Sequence, residues 1–495
     1  MLTISQIFSG VKSKFEIAPS LDSCGLQPVE EITLDSRLAK KNSIFFALPG
    51  QSQNGEKFID DALKNGATVI VSTSKRAEGG HIQIICEDVF ALLVEVLQIF
   101  YTPLPANIYA ITGTNGKTSS AEFTRQILNF LGKKSASVGT LGVFSSHEIE
   151  GLQQSSLTTP DIVSLYKNLQ ILKKNGVDDV ALEVSSIGLH QGRIAGLKIS
   201  VGAFTNFTQD HLDYHKSMEE YLRCKTLLFS SVLENSATVV LNCDIEEFPL
   251  IKKTCDERNL KVIEYGFKAH QLKLQKIEQL DFGQRVFFEF SQKTYSFELS
   301  TSGDFQAFNA VCALGNVLAK NPLSEEELSE LLKNFNQLQP APGRMQRVAT
   351  LPNGAQVFID FAHSPDALKN VLQLAKKISK ARVLVLFGCG GNRDAAKRPL
   401  MGAIASDLAD LVIVSDDNPR KEDAALIRKE ILQKCDMTKT LEIAGRKDAI
   451  IHALKILQPS DILILAGKGH EKYQIIGEEK FKFDEEEIVK NALKN

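Results

Sequence analysis

One ten-residue stretch constrains this chain more than any other: ITGTNGKTSS, residues 111–120. An apolar run, Asn107 to Ala110, precedes it, and a helix-like segment, Ser119 to Leu131, follows. A buried strand that enters a glycine turn and then a helix N-terminus aims backbone N–H groups and the positive end of the helix at one point, which suits a phosphate. Lys117 adds a mobile positive charge, and the Thr118 hydroxyl is placed to reach a magnesium ion. The loop is shorter than a standard phosphate loop, because Ile111 occupies the position six before Lys117. A tight turn would account for Gly113 and Gly116 but not for Lys-Thr at the helix start. The stretch therefore predicts nucleotide binding without specifying a reaction.

At 495 residues the chain has room for three domains, each with its own core. Hydrophobic content of 43% and charged content of 24% are those of a soluble globular protein. A net charge of −3 gives no general attraction to nucleic acid or to an anionic membrane. Any anionic substrate must be met by local basic residues. The eight cysteines are scattered, without a CxxC pair or zinc-like spacing, and read as reduced, mostly buried thiols of a cytoplasmic protein. The N-terminus lacks a basic region followed by a long apolar run, so no signal peptide is expected, and no apolar stretch approaches the length of a membrane span.

No repeat or low-complexity tract marks the boundaries, so they come from pattern and punctuation. The first block mixes short strands (Ser43 to Ala47, Thr68 to Val71, Ile82 to Ile85) with helices such as Glu56 to Asn65. Tyr101 to Ala106 carries two prolines just before the phosphate-loop strand and reads as a linker. A second block alternates helices with strands at Ser135 to Gly139, Asp179 to Glu183, Ser200 to Thr205 and Thr238 to Asn242. That is the pattern of a parallel sheet covered by helices. Val286 to Leu299 alternates around a polar break and predicts a hairpin at the sheet edge. After a break at Pro340 to Gly343 comes another α/β block, with strands at Val357 to Phe361, Val383 to Phe387, Leu411 to Ser415 and Asp461 to Ala466. The expectation is an α/β protein of three domains, about 1–103, 104–339 and 340–495.

Glu183 closes a strand-like run. A carboxylate there faces the ligand crevice of an open α/β sheet and suits nucleotide-bound magnesium, although a polar residue merely ending a strand fits equally. In TNFTQDHLDYH (205–215), a helix would stack His211 and His215 one turn apart, a metal-like spacing. Leu212 stands where the zinc-protease pattern needs Glu, so a hard-metal or phosphate role suits His211 better. Lys225, in a helical context, is on its own an ordinary surface lysine. Asp360 ends a strand before FAHSPD, with Pro365 at a helix start. GCGGNRDAAKRP (388–399) is a glycine turn whose Arg393, Lys397 and Arg398 suit anions, unless it is a plain strand-to-helix turn with a basic first helix. Asp417, Asn418, Pro419 and Arg420 follow the strand LVIVS, where Arg420 is fit to grip a carboxylate in bidentate fashion. Gly467 to Glu471 again follow a strand. Charged loops at strand ends, beside a phosphate loop in another domain, suggest an interdomain cleft.

Taken jointly, ITGTNGKTS, TTPD (158–161), EVSSIGL, TNFTQDHLDYH, PGRMQRV, DFAHSPD and GCGGNRD resemble the Mur ligases, ATP-dependent amide-forming enzymes of peptidoglycan precursor assembly. The match runs through the whole chain. The resemblance implies a small α/β uridine-nucleotide domain, a central ATPase-like parallel sheet with helices on both faces, and a Rossmann-like C-terminal domain. LDSR (34–37) with LPGQSQNGEKF (48–58) looks like the uridine domain of members that add the third peptide residue. DNPR (417–420) matches those that add meso-diaminopimelate, whose distal carboxylate the Arg would bind. The implied reaction joins meso-diaminopimelate to the D-glutamate γ-carboxylate of UDP-N-acetylmuramoyl-L-alanyl-D-glutamate through an acyl phosphate. It implies a monomer that uses ATP and magnesium and engages neither nucleic acid nor membrane.

Carried over by position, Gly113, Thr114, Asn115, Gly116, Lys117, Thr118 and Ser119 would hold the ATP phosphates, and Thr118 and Glu183 one magnesium ion. His211, with Lys225 carbamylated to N6-carboxylysine, would serve a second. Asn309, Arg344 and Asp360 would contact the base and ribose side. Leu34, Ser36, Gln51, Ser52 and Gln53 would meet the uridine part, and Thr158, Thr159, Ser185, Gln191 and Arg193 the sugar-peptide. Arg393, Asp417, Asn418, Pro419, Arg420, Gly467 and Glu471 would recognise diaminopimelate. The sequence departs from the pattern at Phe361 (Tyr in DYAH), Ile187 (often His), Gln306 (Asn of a common FN pair), QSQNG (HxxDG is common) and Asp423-Ala424, where a proline often stands. A lysine-adding ligase differs at the DNPR loop. Folylpolyglutamate synthetase shares the phosphate loop and the Lys225 context but does not predict LDSR with the uridine loop. A P-loop ATPase or a non-catalytic nucleotide-binding protein leaves Arg393, Arg420 and Glu471 without a purpose.

Overall fold

Short apolar runs bounded by glycine turns form strands, and amphipathic segments between them form the covering helices. The computed structural model describes residues 2–18, 24–49, 54–76, 81–155, 157–280 and 283–493. Its strands build three main sheets of five, ten and six strands in an α/β architecture. The first runs Glu16–Ala18, Ile82–Ile85, Val69–Ser72, Ser43–Phe46, Glu31–Thr33, parallel except for its first member. The sheet of the last block runs Gln346–Thr350, Gln356–Asp360, Ile462–Ala466, Val383–Phe387, Leu411–Val414, Thr440–Glu442, and again only the first strand is antiparallel.

The ten-stranded sheet places the phosphate loop. Asn107–Thr112 lies between Asp179–Glu183 and Val201–Phe204, with all three parallel. The chain goes from Asn107–Thr112 outward to Ser135–Gly139, returns to Asp179–Glu183, and then crosses to Val201–Phe204 on the other side. Strand order reverses there, so the loops after Thr112, Glu183 and Phe204 diverge around a crevice. Register pairs Glu183 with Ile111 and Phe204 with Thr112, which brings those loops level.

The strand expectations agree with the structure to within one or two residues. The hairpin at the sheet edge is Gln284–Phe290 with Lys293–Leu299. Its tight turn puts Ser291 and Gln292 at φ 51° and 63°, the handedness that matches strand twist. Val286, Phe288, Phe297 and Leu299 are buried. The pairing of Leu272–Gln279 between that hairpin and Lys261–Gly266 was not legible, because alternate charged residues face out along its length. Glu56 to Asn65 is not one helix: Gly55–Phe58 is a 3₁₀ turn, followed by the α-helix Ile59–Lys64.

One apolar cluster runs from Ile4 and Phe8 through the helix Val89–Phe100 to the helix Ile162–Lys174 and Phe204, so the first sheet and one face of the ten-stranded sheet share a core. The other face is covered by the helices Lys117–Phe130 and Asp304–Lys320. The six-stranded sheet has separate clusters on its two faces. Among the described residues no helix is long and apolar enough to cross a membrane.

Candidate active site

The phosphate loop is shaped by close approach. A Cβ on Gly113 (φ 143°) would lie 1.9 Å from Thr205 Oγ1, and one on Gly116 (φ 84°) would lie 2.4 Å from Asn309 Oδ1. Both glycines are therefore needed for space as well as for conformation. The helix Lys117–Phe130 starts directly from Gly116, without a side-chain cap. Its first N–H groups are left for a ligand. Lys117 folds back over the loop, donating to the carbonyls of Gly113 (2.9 Å) and Thr114 (2.7 Å). Burial lowers its pKa, against the pull of Glu183 and Asp210. A γ-phosphate offered to this ammonium would replace two neutral acceptors with an anion.

Glu183 is buried at the end of its strand. Its Oε2 accepts from Thr118 Oγ1 (2.8 Å) and Thr140 Oγ1 (3.1 Å), and its Oε1 from the Thr140 N–H (2.9 Å). Burial raises its pKa, opposed chiefly by Lys117. Among the described residues no three His, Cys, Asp or Glu side chains cluster into a metal cage. Magnesium needs none, because it keeps waters and substrate phosphates and takes only one or two protein oxygens. Thr118 and Glu183, at the start of the phosphate-loop helix, form a hard-oxygen pair of that kind.

Lys225 is not the surface residue that its local sequence suggests. It is 1% exposed on the helix Met218–Leu227, its Nζ donates to Gly113 O at 2.7 Å, and it lies 4.4 Å from the Tyr221 ring centroid. Burial, and then the charge of Lys117, hold its pKa well below the lysine range. The two histidines part company. His211 adopts a left-handed conformation (φ 54°) just before the short helix Leu212–His215, so the pair does not share one helix face. His215 is buried with Nε2 on Ser186 Oγ (2.8 Å), while His211 stays beside Asp210 (3.6 Å). Burial drives the pKa of His211 down to about 4, which leaves a neutral imidazole beside the loop.

A cavity of about 290 Å³ opens against the loop, lined by Gly116, Thr118, Ser119, Asn309, Arg344 and Asp360 among others. Arg344 reaches Thr118 Oγ1 (3.3 Å) and lies over the Phe361 ring (4.8 Å). Asp360 accepts from the N–H groups of Met345 (2.6 Å) and Ala362 (2.8 Å), and burial raises its pKa to about 6. The expected nucleotide residues thus gather in one place.

On the other side of Glu183, Thr159 Oγ1 donates to Glu183 O (3.0 Å) and accepts from the Ser185 N–H (2.9 Å). Thr140 Oγ1 meets Thr158 Oγ1 at 3.1 Å. Arg193 donates to Thr159 O (2.7 Å) and grips Gln191 Oε1 through Nε (3.0 Å) and Nη2 (2.6 Å). Ser36 is buried and Leu34 half-buried in the first sheet's domain. Gln51, Ser52 and Gln53 lie outside the described residues.

In the last block, Arg420 (φ 52°) donates to Gly391 O at 2.9 Å. Its pKa is lowered by burial and then by the neighbouring Arg393. Arg393 thus bears on Arg420 as a second cation, a combination that suits a carboxylate, while also lying 3.8 Å from Asp213. Asn418 Nδ2 donates to Glu471 Oε2 (2.9 Å), and a Cβ on Gly467 would lie 2.7 Å from Asp417 Oδ2. Arg398, expected from its turn to suit an anion, is already taken up by carboxylates of the chain. It is buried between Glu422 (2.9 Å) and Glu430 (2.8 Å) and braces the turn. Sequence reasoning assigned no role to Asp210, His363, Thr140 or Lys468. Asp210 sits between His211 and His363 (3.9 Å), across the boundary between the ten- and six-stranded sheets. Asn115–Asp366 (2.9 Å) and Arg393–Asp213 (3.8 Å) cross it too.

Comparisons with known proteins identify the family. The Mur ligase middle domain matches residues 111–317, and the Mur ligase glutamate ligase domain matches 343–469. A UDP-N-acetylmuramoyl-L-alanyl-D-glutamate--2,6-diaminopimelate ligase of Rickettsia bellii is 41% identical over 465 residues, 93% of this chain and 95% of that protein. A solved structure of a ligase with the same name superimposes with a TM-score of 0.66 at 30% identity, covering 100% of this chain and 99% of the other. A MurF ligase from Thermotoga maritima in complex with ADP, at 16% identity and TM-score 0.64, covers 94% of this chain and 97% of its own. At that identity the likeness concerns the fold alone.

Proposed function

The chain belongs to the Mur ligase family, and from that premise we propose that it joins meso-diaminopimelate to the D-glutamate γ-carboxylate of UDP-N-acetylmuramoyl-L-alanyl-D-glutamate at the expense of ATP. One observation carries the reading. The segment 206–215 joins the phosphate loop to the basic turn of the last block: Asn206 and Thr208 hold Asn115 and Thr114, Asp213 lies 3.8 Å from Arg393, and Lys225 donates to the loop's own backbone. We assign the domains to about 1–103, 104–339 and 340–495 and the molecule to the cytoplasm as a monomer.

A carboxylate is a poor acyl donor, so it must first be activated. A γ-carboxylate oxygen attacks the γ-phosphorus of ATP, ADP leaves, and an acyl phosphate forms. The amine of diaminopimelate attacks the acyl carbon, and phosphate departs with that oxygen as the amide forms. Lys117 leaves its backbone carbonyls for the transferred phosphate and offsets charge as it builds. Thr118 with Glu183, and His211 with Lys225 as a carbamate, would hold magnesium ions that screen the repulsion between carboxylate and triphosphate. The carbamate suits a buried lysine of depressed pKa, since only the neutral amine takes up carbon dioxide. Asn309, Arg344 and Asp360 hold the nucleoside side. Thr158, Thr159, Ser185, Gln191 and Arg193 hold the sugar-peptide, with Leu34, Ser36 and the segment 51–53 on the uridine part. Arg393, Asp417, Asn418, Pro419, Arg420, Gly467 and Glu471 bind the amino acid. Closing the crevice keeps water from the acyl phosphate.

The test is mass spectrometry of products from purified protein, ATP, magnesium and the UDP-dipeptide, with meso-diaminopimelate, L-lysine or no amine. Tripeptide only with diaminopimelate is expected. Preference for lysine would remove the role given to Arg420, and ATP turnover without any peptide would remove the ligase reading.

A further inference from the structure

Lys468 is fully buried, and among the described residues its side-chain hydrogen bonds and ion pairs go to residues read above as the amino-acid site. Its Nζ donates to Asn418 Oδ1 (3.1 Å) and to Glu471 Oε2 (3.3 Å), and lies 3.8 Å from Asp417 Oδ1. The rings of Tyr473 (6.0 Å) and Phe483 (5.8 Å) close its surroundings. Burying an ammonium is costly unless its protons are matched, and here three acceptors surround it.

These contacts orient the neighbours. Asn418 Oδ1 accepts from both Lys468 and the Ile475 N–H (2.9 Å), so its amide nitrogen is turned outward to Glu471 Oε2 (2.9 Å). Glu471 is thereby held through Oε2 alone, and its Oε1 takes no hydrogen bond among the described residues. Formal charges also fit. Asp417 and Glu471 bring two negative charges and Lys468 one positive, and the buried Arg446–Glu485 pair beside them cancels within itself, which leaves a singly negative lobe. Arg420 and Arg393, the latter also 3.8 Å from Asp213, supply the positive lobe. A negative and a positive lobe side by side match the ammonium and carboxylate of one amino-acid end.

We propose that Lys468 is the positioning residue of this site: it holds Asn418 and Glu471 in the orientation that receives the ammonium at the far end of the incoming diamino acid. The inference rests on the functional reading given above. Without the lysine, Asp417 and Glu471 would lose the ammonium nearest to them, and Asn418 one of the two donors that fix its amide.

The experiment measures KM for meso-diaminopimelate, ATP and UDP-dipeptide, with melting temperature, in the wild type, K468M, K468Q and R420A. In K468M and K468Q the KM for diaminopimelate should rise about tenfold or more, as expected when hydrogen bonds to charged groups are lost, with the other two within about twofold. K468R, which restores the cation, should recover part of the loss. An unchanged KM for diaminopimelate, or a parallel rise in all three, overturns the inference. Failure of both K468M and K468Q to fold would make Lys468 purely structural and overturn it too. R420A separates the two levels. If its KM for diaminopimelate rises while the Lys468 variants keep theirs, only the Lys468 inference falls. If R420A leaves that KM unchanged, the site reading falls and takes Lys468 with it.

Discussion

The molecule has two seams, and they are built differently. Between the first sheet and the ten-stranded sheet the apolar core is continuous, and side chains interlock: Gly192 faces the Phe90 ring, and a Cβ on Gly196 would lie 2.5 Å from Val94 Cγ1. Between the ten- and six-stranded sheets the contacts given above are polar: Asn115–Asp366, Arg344–Thr118, Asp210–His363 and Arg393–Asp213. Apolar burial resists opening, whereas polar pairs can exchange partners with a ligand or with water. The chemistry proposed above falls at the seam that can trade contacts.

That contrast can be broken at either seam. The largest effect should come from the polar one. K117A should lower kcat for ligation by about 10²–10³, the usual loss when a group that stabilises developing charge is removed, with little change in melting temperature. Steady-state kinetics beside a thermal melt would check it. At the apolar seam G196A should do the reverse. Gly196 has φ 74° and its Cβ would crowd Val94, Tyr166 and Gln98. Strain and overpacking should cost about 2–4 kcal/mol of stability by denaturant titration, with kcat falling far less than in K117A. Equal effects on both quantities in both variants would erase the distinction between the seams.

A smaller effect belongs to Asp366. D366A loses the hydrogen bonds from Asn115 and Asn370, worth about 1 kcal/mol, and should raise the KM for ATP several-fold without moving the melting temperature much. The smallest is a slope. Burial pushes the pKa of His215 from 6.5 down to about 4. As pH falls below about 6.5 the unfolded chain takes up a proton that the folded chain refuses until about pH 4. Stability from this group is therefore complete above pH 6.5 and is lost on the way down to pH 4. Melting curves of H215Q should show a shallower acid slope than the wild type over that window.

How much of this was legible in the sequence follows from range. The phosphate loop was, because strand, glycines, Lys117 and Thr118 are contiguous and their geometry is local. Glu183 was half legible: a carboxylate ending a strand suits either reading, and its partners Thr118 and Thr140 lie far from it in the chain. Lys225 was misleading alone, since its burial depends on Gly113, more than a hundred residues away. Arg398 and His215 looked like ligands by type, but Glu422 and Glu430 claim the first and Ser186 the second. Asp210 and Lys468 carried no signal, because no periodicity marks a polar loop residue, and His363 and Asn418, which show what they do, lie far along the chain. Among strands, Leu272–Gln279 escaped for a related reason: its outward face is charged, and its pairing is set by neighbours.

The measurement that bears most directly on ligation at the polar seam is an isotope transfer. UDP-N-acetylmuramoyl-L-alanyl-D-glutamate labelled with ¹⁸O in the γ-carboxylate is turned over with ATP, magnesium and meso-diaminopimelate, and the released phosphate is analysed by mass. Attack by the carboxylate on ATP, followed by attack of the amine on the acyl phosphate, predicts one labelled oxygen in each phosphate released with tripeptide. Phosphate without label, with ATP still consumed, would mean that water attacks the nucleotide and would contradict the account.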